Sequence, residues 1–232
     1  MGSNDDAGAW GDALAGEYDS MAISGDLSTA TMGKIQSLPW FQNQLRVLDF
    51  GCGTGMNSIK LASETGADVA AADTSTAMIE QVHRKLENLR PQISSRIHPI
   101  VCSPDASDIV ADPEYDMILC SFVLHHVGDL LEPILVNLRQ AMTKKNCRLC
   151  IFELEDSQRT RDAFDRKRAL LCKHGSKPHI KVGRINNERM REYLEQAGFC
   201  IEYLEQGNVQ TMVGDSSEIV DFYFYVAQRK DI

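Results

Sequence analysis

Basic residues are scarce in this chain of 232 residues. Its 24 lysines and arginines are outnumbered by 33 aspartates and glutamates, which gives a formal net charge of −9. Because nucleic acids are bound by basic surfaces, this balance argues against a nucleic-acid partner. Long apolar runs are also missing, since the longest near-continuous one, at 117–124, is far too short to span a bilayer. We therefore expect neither a nucleic-acid partner nor a membrane partner.

Signals for export and for metal binding are missing as well. The acidic and polar start, Asn4, Asp5 and Asp6, has neither the positive nor the apolar segment of a secretory signal. Seven scattered cysteines are an odd number, which is typical of reduced thiols, so we expect a cytoplasmic protein. Cys147 and Cys150 lie three apart in a predicted strand and face opposite sides of it. We expect no metal site.

What the chain has is a regular alternation of strand-like and helix-like segments. Apolar runs predict strands at 45–50, 67–72, 96–101, 115–120 and 147–154, and periodic apolar residues predict helices at 9–23, 27–38, 56–65, 75–90 and 129–143. Strands and helices of this length that alternate predict right-handed βαβ units and a parallel sheet. Such sheets bind ligands outside the carboxyl ends of their strands.

The last third of the chain changes character. A helix is predicted at 159–173, a polar segment at 174–184, a helix at 187–197, and strands at 199–204 and 221–228. Because about 16 residues without a clear helix link these two strands, they are predicted to form an antiparallel hairpin. The length fits a single domain over 1–232.

Three glycines at alternate positions mark the most informative point. Gly51, Gly53 and Gly55 follow an acid, Asp49, at the end of the first predicted strand and precede a predicted helix. Glycines there let the backbone approach a ligand closely, and the free N–H groups of the helix start attract polar groups. A dinucleotide fingerprint requires glycine where Met56 stands. The spacing is therefore not that of a typical NAD site.

The stretch 47–55, Val-Leu-Asp-Phe-Gly-Cys-Gly-Thr-Gly, instead closely resembles motif I of the class I S-adenosylmethionine-dependent methyltransferases. The stretch 115–127, an apolar run that ends in two histidines, resembles motif IV of that family, and the Tyr-Asp pair at 18–19 resembles an element of its small-molecule members. The resemblance covers roughly 12–228. It implies a division of the chain into an N-terminal helical cap (1–43), a cofactor-binding core (44–154), substrate-lid helices (155–197) and a C-terminal hairpin (198–232). It also implies an α/β fold with a doubly wound, Rossmann-like sheet of seven mostly parallel strands whose last strand is antiparallel.

The resemblance also implies S-adenosyl-L-methionine as the cofactor and a role for particular residues. Asp49 would order the glycine loop, the loop would lie against the amino acid part of the cofactor, Asp73 would accept from the ribose hydroxyls, and Asp105 would accept from the adenine amino group. The implied cofactor-binding residues are Tyr18, Asp49, Gly51, Cys52, Gly53, Gly55, Asp73, Thr74, Met78, Asp105, Ala106, Ser121 and Phe122.

Several of these roles have alternatives. An acid at the position of Asp73 also occurs in NAD sites. Asp108 competes with Asp105 for the adenine, and Tyr18 fits the core of an amphipathic helix equally well.

His125 and His126 are the candidate catalytic residues. An imidazole titrates near neutral pH, so either histidine can serve as a general base. The alternative is that one of them packs and hydrogen-bonds in its loop. Candidates for an acceptor pocket, each with a structural alternative, are Glu153, Asp156, Phe164, His174 and His179.

The function expected from the resemblance is methyl transfer to a small molecule. The 155–190 insertion is short for a domain that binds macromolecules, and oxygen is weakly favoured as the acceptor because it is common in the family. Sulfur, nitrogen and carbon acceptors stay open, as do an NAD-dependent oxidoreductase and a regulatory protein that binds the cofactor without chemistry. The chain is expected to act as a monomer or a homodimer, without a metal.

Overall fold

The structure is a computed structural model that describes residues 12–109, 114–173 and 185–230. Within these ranges one sheet contains β1 (Arg46–Phe50), β2 (Asp68–Asp73), β3 (Ile97–Val101), β4 (Met117–Ser121), β5 (Arg148–Leu154), β6 (Phe199–Val213) and β7 (Ser216–Arg229). The strand order is β3-β2-β1-β4-β5-β7-β6. Strands β1 to β5 are parallel, and β7 runs antiparallel to both of its neighbours, β5 and β6. The predicted seven-stranded, mostly parallel sheet with an antiparallel last strand is confirmed.

Helices connect and cover these strands. They are α1 (Asp12–Tyr18), α2 (Ala22–Gln36), α3 (Met56–Lys60), α4 (Thr76–Leu86), α5 (Pro91–Ser94), α6 (Leu131–Ala141), α7 (Gln158–Lys173) and α8 (Asn187–Gln196). Helix α3 continues into a π turn (Leu61–Thr65), and 3-10 turns (Leu124–His126 and Gly128–Leu130) precede α6. Polar caps stabilise the starts of two helices. Ser75 Oγ accepts a hydrogen bond from the Met78 amide of α4, and Asn186 Oδ1 accepts one from the Arg189 amide of α8.

The core has two layers, one on each face of the sheet. Successive strand residues point to opposite faces, so Val47 and Leu119 pack on the side of α2 and α4, while Leu48 and Ile118 pack on the side of α6 and α8. The strand order reverses direction between β1 and β4. A crevice is expected where the carboxyl ends of these two strands diverge.

The N-terminal helices differ from the prediction. The predicted helix at 9–23 is interrupted after Tyr18, and its first residues lie outside the described ranges. Met21 has extended backbone, and α2 starts at Ala22, five residues before the predicted start. The break has a physical reason: the Asp19 side chain accepts a hydrogen bond from Thr54 in the glycine loop, a contact that a continuous helix would not place there.

The C-terminal hairpin is confirmed, but its strands are much longer than predicted. The predicted 16-residue connection is itself strand, and β6 and β7 are joined by a turn at 214–215. The distal part is stabilised by α7, whose Ala163 packs with Leu154, Val213 and Val220 in a third apolar cluster. No described helix is long and apolar enough to cross a membrane.

Candidate active site

A cavity of about 660 Å³ opens at the crevice between β1 and β4. Its walls come from the end of α1, the start of α2, the loop after β1, the start of α4 and the turns after β4. The predicted site residues that line it are Tyr18, Gly51, Cys52, Gly53, Asp73, Thr74, Met78, Ser121, Phe122 and His126. The sheet therefore brings together residues that lie more than 100 positions apart in the sequence.

The glycine loop packs so closely against Val123 that Gly51 has no room for a side chain. Gly51 has φ +71°, and a Cβ there would lie 2.3 Å from Val123 Cγ2. Gly53 also has positive φ, +55°, but a Cβ there would meet nothing within 4 Å. Since Gly53 lines the cavity, that open space is part of it. The loop is packed against the protein at Gly51 and free to meet a ligand at Gly53.

Asp73 lies beside this loop at the end of β2. Its Oδ2 accepts from the Gly53 amide at 2.8 Å, and its Oδ1 accepts from the Ser75 amide at 2.9 Å. Burial raises the pKa of this carboxyl group, while the two amides oppose the rise. The carboxylate is thus oriented by backbone donors at the cavity wall, where it can accept hydroxyl groups.

Asp49 lies behind the loop rather than in the cavity wall. It is 1% exposed, and its Oδ2 accepts from Ser58 Oγ of α3 at 2.6 Å. Burial raises the pKa of Asp49 to about 6, and the Ser58 hydrogen bond opposes the shift. Gly55 does not line the cavity either, because it begins α3 with φ +80° against Val82. Both residues shape the loop from behind.

Cys52 lines the cavity but has no sign of reactivity. Burial, reinforced by the charges of Asp73 and Asp49, raises the pKa of its thiol well above the ordinary value. A thiol that stays protonated is a poor nucleophile. Cys52 therefore serves as a small wall residue.

The end of α1 is tied to the glycine loop. The Asp19 carboxylate accepts from Thr54 Oγ1 and pairs with Lys85, whose Nζ also donates to the Thr54 carbonyl at 2.7 Å. These contacts position the neighbouring Tyr18 in the cavity wall. Burial raises the pKa of the Tyr18 phenol, so the hydroxyl is a neutral donor.

The two histidines have different environments. His125 is 4% exposed, and its Nδ1 lies 2.5 Å from Glu153 Oε1, while its amide donates to Oε2. It does not line the cavity, and neither does Glu153. His126 does, with its ring centroid 3.9 Å from that of His125. Burial, with the nearby positive charges, lowers the pKa of His126 well below the ordinary value, so its imidazole is neutral.

The structure does not bring Asp105 and Ala106 to the cavity. Asp105 Oδ1 accepts from both the amide and the hydroxyl of Ser107, which lowers the pKa of Asp105. Ala106 is fully buried with φ +62°, and its amide donates to the Ser103 carbonyl. Only Pro104 of this loop lines the cavity. The rival acid Asp108 is likewise occupied, because it accepts from the Ser103 amide and hydroxyl.

Sequence reasoning missed the contribution of α2. Ser24 and Ser28 line the cavity, Ser28 Oγ donates to Asn57 at 2.7 Å, and Thr31 Oγ1 lies 3.2 Å from Ser121 Oγ. These three polar residues are buried, and their spacing of four and three places them on one helix face. These polar residues on an otherwise apolar helix face were the sequence signal that could have indicated a contribution of α2 to the site.

The acceptor candidates outside the core have varied positions. Phe164 lies beside the Lys167 ammonium of α7, and Asp156 pairs with Arg161. His174 and His179 lie outside the described residues. No residue of α8 lines the cavity, because its apolar face packs with α6 beneath the sheet. No described residue of α7 lines the cavity either, but Lys167 of α7 contacts the ring of the wall residue Tyr18.

Comparisons with known proteins identify the fold and a family that the core of the chain resembles. Residues 48–149 match a family model described as a methyltransferase domain. A SAM-dependent methyltransferase of Anabaena variabilis superimposes with a TM-score of 0.69 at 19% identity, over 96% of this chain and 94% of that one. Residues 48–149 thus resemble a methyltransferase domain, and the chain has the fold of a solved SAM-dependent methyltransferase.

Two further methyltransferases extend the comparison. The magnesium protoporphyrin IX methyltransferase of Synechocystis, solved with bound S-adenosylhomocysteine, has a TM-score of 0.59 at 20% identity, over 88% of this chain and 86% of that one. An uncharacterized methyltransferase of Schizosaccharomyces pombe is 29% identical over 119 residues, which are 50% of this chain and 40% of the yeast protein. This chain thus spans less than half of that relative.

The cavity fits S-adenosylmethionine, the cofactor of the methyltransferases that this chain resembles. Gly53 leaves open space in the wall, Asp73 presents an oriented carboxylate, and Tyr18 presents a hydroxyl. The volume lies within the about 300–1,000 Å³ that is typical of small-molecule sites. Which residue contacts which part of the cofactor stays a prediction.

Proposed function

We propose that this protein transfers the methyl group of S-adenosylmethionine to a small-molecule acceptor, with oxygen as the favoured acceptor atom. The observation that carries the proposal is a cavity whose wall includes both the glycine loop with Asp73 and the turns after β4. The same wall contains Phe122, His126 and two serines of α2, Ser24 and Ser28.

The chemistry divides between cofactor and protein. S-adenosylmethionine, when bound, would supply an electrophilic methyl group on a sulfonium. The glycine loop and Asp73 would hold the cofactor and orient its methyl group. Phe122 and Leu27 exclude water from the wall, and orientation with water exclusion is what such a transfer requires.

Phe122 is held rigidly for this task. Its backbone has φ +55°, which is uncommon for a residue other than glycine, and its amide donates to the Phe152 carbonyl at 2.8 Å. Its ring packs among Phe152 and Phe222, with centroids 6.2 and 6.1 Å away. Strained backbone that neighbours enforce is common at functional sites.

His126, rather than His125, is the histidine we propose for proton transfer. The acceptor loses a proton if it reacts from a neutral hydroxyl, and His126 is the neutral imidazole in the described cavity wall. A base with a lowered pKa suits acidic hydroxyl groups better than alcohols. Phenols and carboxylic acids are therefore the oxygen acceptors that we favour.

A small acceptor is supported by the size of the cavity, about 660 Å³. The Synechocystis neighbour is named for magnesium protoporphyrin IX, which is itself a small molecule. Sulfur, nitrogen and carbon acceptors are the alternatives that an activity screen resolves.

The test combines binding and turnover. Isothermal titration should show S-adenosylhomocysteine binding and no NADH binding. A radiolabelled methyl-transfer screen over phenols, carboxylic acids, thiols and amines should find turnover, highest for oxygen acceptors. His126→Gln should lower kcat with little change in the affinity for S-adenosylhomocysteine. Binding of NADH alone would refute the proposal, and cofactor binding without any transfer would favour a regulatory role.

A further inference from the structure

Helix α7 carries one cation that differs from its neighbours. Its arginines pair with acids: Arg159 with Asp221, Arg161 with Asp156, Arg166 with Glu218 and Arg168 with Asp165. Lys167 has no acidic partner among the described residues, although it is half-buried while Arg166 and Arg168 are exposed. A cation withdrawn from water without a counter-ion costs stability, so its retention calls for a functional reason.

Lys167 lies next to the cavity wall without lining the cavity itself. Its Nζ lies 5.5 Å from the centroid of the Tyr18 ring and 5.4 Å from that of Phe164, within the range of cation–π contacts. Tyr18 lines the cavity, and the charge of Lys167 also helps to lower the pKa of His126, another wall residue. Burial lowers the pKa of Lys167 itself to about 8. The ammonium therefore stands beside two wall residues in a partly dry environment.

The cavity wall has the opposite charge. Its charged side chains in the described chain are Asp73 and Asp129, with no lysine or arginine among them. An anionic group that enters this cavity needs a positive partner, because a desolvated carboxylate without one is costly. Lys167, at the Tyr18 edge, is the unpaired cation beside that wall.

The position of Lys167 in the chain indicates which ligand it serves. Cofactor binding is common to the family, and the family model covers 48–149. Lys167 lies outside that region, on a helix that packs against the hairpin strand β7. A residue outside the shared region is expected to serve what distinguishes this chain, namely its acceptor.

We propose that Lys167 is the specificity-determining residue for an anionic methyl acceptor, and that it binds a carboxylate of that acceptor. This inference rests on the proposed function. Lys167 holds the carboxylate by a charge-assisted hydrogen bond, and the two flanking rings hold the lysine stem in place. The acceptor class is therefore small carboxylic acids, which matches the preference for acidic oxygen groups.

The experiment compares wild type with Lys167→Met, which keeps the apolar stem and removes the charge. Arg168→Met is the matched control, because it removes an exposed cation from the next position of the same helix. Protein saturated with S-adenosylhomocysteine is titrated with pairs of acids and their amides, including benzoate with benzamide and 4-hydroxybenzoate with 4-hydroxybenzamide. The same pairs are compared as acceptors in the methyl-transfer assay.

We expect wild type to prefer the acid of at least one pair by about tenfold or more, as a charged hydrogen bond provides. Lys167→Met should reduce that preference to less than about twofold, while Lys167→Arg and Arg168→Met keep it. No acid preference in wild type, or an unchanged preference in Lys167→Met, would overturn the inference. A merely structural role would weaken acids and amides alike and would overturn it too.

A second arm separates the acceptor from the cofactor. S-adenosylhomocysteine carries a carboxylate and 5′-methylthioadenosine does not, so both are titrated into each variant. We expect Lys167→Met to bind both as wild type does. A selective loss for S-adenosylhomocysteine would assign Lys167 to the cofactor and overturn the acceptor proposal. Failure of wild type to bind either nucleoside would refute the proposed function itself, and this inference with it.

Discussion

Replacement of Gly53 by alanine should weaken cofactor binding and leave the fold intact, whereas the same replacement at Gly51 should damage the fold. Both glycines have positive φ, so each alanine carries a backbone cost of about 1–2 kcal/mol. At Gly53 nothing in the protein lies within 4 Å of the new methyl group. At Gly51 the methyl group would lie 2.3 Å from Val123 Cγ2 and 2.7 Å from Val123 Cβ.

These distances separate the two effects in magnitude. Overpacking in a tight site costs about 1–3 kcal/mol, so Gly51→Ala should lose about 2–5 kcal/mol of folding free energy in total. Gly53→Ala should lose only the backbone part. Its methyl group instead occupies ligand space, and the same overpacking cost applied to binding weakens the complex with S-adenosylhomocysteine about 5- to 150-fold.

The assay pairs chemical denaturation with isothermal titration of S-adenosylhomocysteine. Gly33→Ala is the control, since Gly33 lies in α2 with nothing within 4 Å and ordinary φ, and it should be neutral or slightly stabilising. The reasoning fails if Gly53→Ala binds S-adenosylhomocysteine with wild-type affinity. It also fails if Gly53→Ala and Gly51→Ala are destabilised equally.

Three further changes test neighbouring groups. Asp73→Asn should weaken S-adenosylhomocysteine and 5′-methylthioadenosine by a similar factor of about ten or more, because the ribose is common to both; titration calorimetry that found unequal losses would contradict this. His126 has a folded-state pKa below its unfolded value, so the unfolded chain takes up a proton first as pH falls through about 6.5 and wild type loses stability there. His126→Gln should gain stability relative to wild type between pH 7.5 and 5.5 in urea titrations, and a constant difference would exclude the mechanism. The contribution of Asp49 to folding stability changes with pH in the opposite direction. Its pKa of about 6 exceeds the ordinary 3.8, so the buried charge lowers the free energy of unfolding by on the order of 3 kcal/mol above pH 6, and this loss disappears toward pH 4. The stability of Asp49→Asn relative to wild type should therefore be greatest near pH 8 and decline on acidification, and a rise on acidification would show the sign to be wrong.

The core of the fold was predictable because its signals are local. Each parallel strand is a short apolar run, and the residues that follow β1, β2 and β4 necessarily meet at one edge of the sheet. Strand order and spacing, together with the resemblance to the methyltransferase motifs, therefore predict Gly51, Gly53, Asp73 and Ser121 as site residues. Residues at the carboxyl ends of parallel strands lie close together in space even when they are far apart in the sequence.

The parts that were not predicted depend on long-range contacts. The distal hairpin contains Gly207 and Asn208, which are rare in strands, and it is ordered by α7 packing on Val213 and Val220. The Asp105 carboxylate reaches Ser107 two residues away instead of the cavity, a local choice that spacing does not reveal. The environment of Lys167 likewise depends on Tyr18, about 150 residues earlier in the chain.

The contacts between the end of α1 and the glycine loop couple the ordering of these two segments, which are distant in sequence. Asp19 bonds to Thr54 and Lys85, so whatever orders the loop also orders the end of α1. Linkage requires the converse: trimming or loosening the amino-terminal helix must reduce affinity at the loop by the same factor. Protection of α1 from proteolysis would then report cofactor occupancy without any view of the cofactor itself.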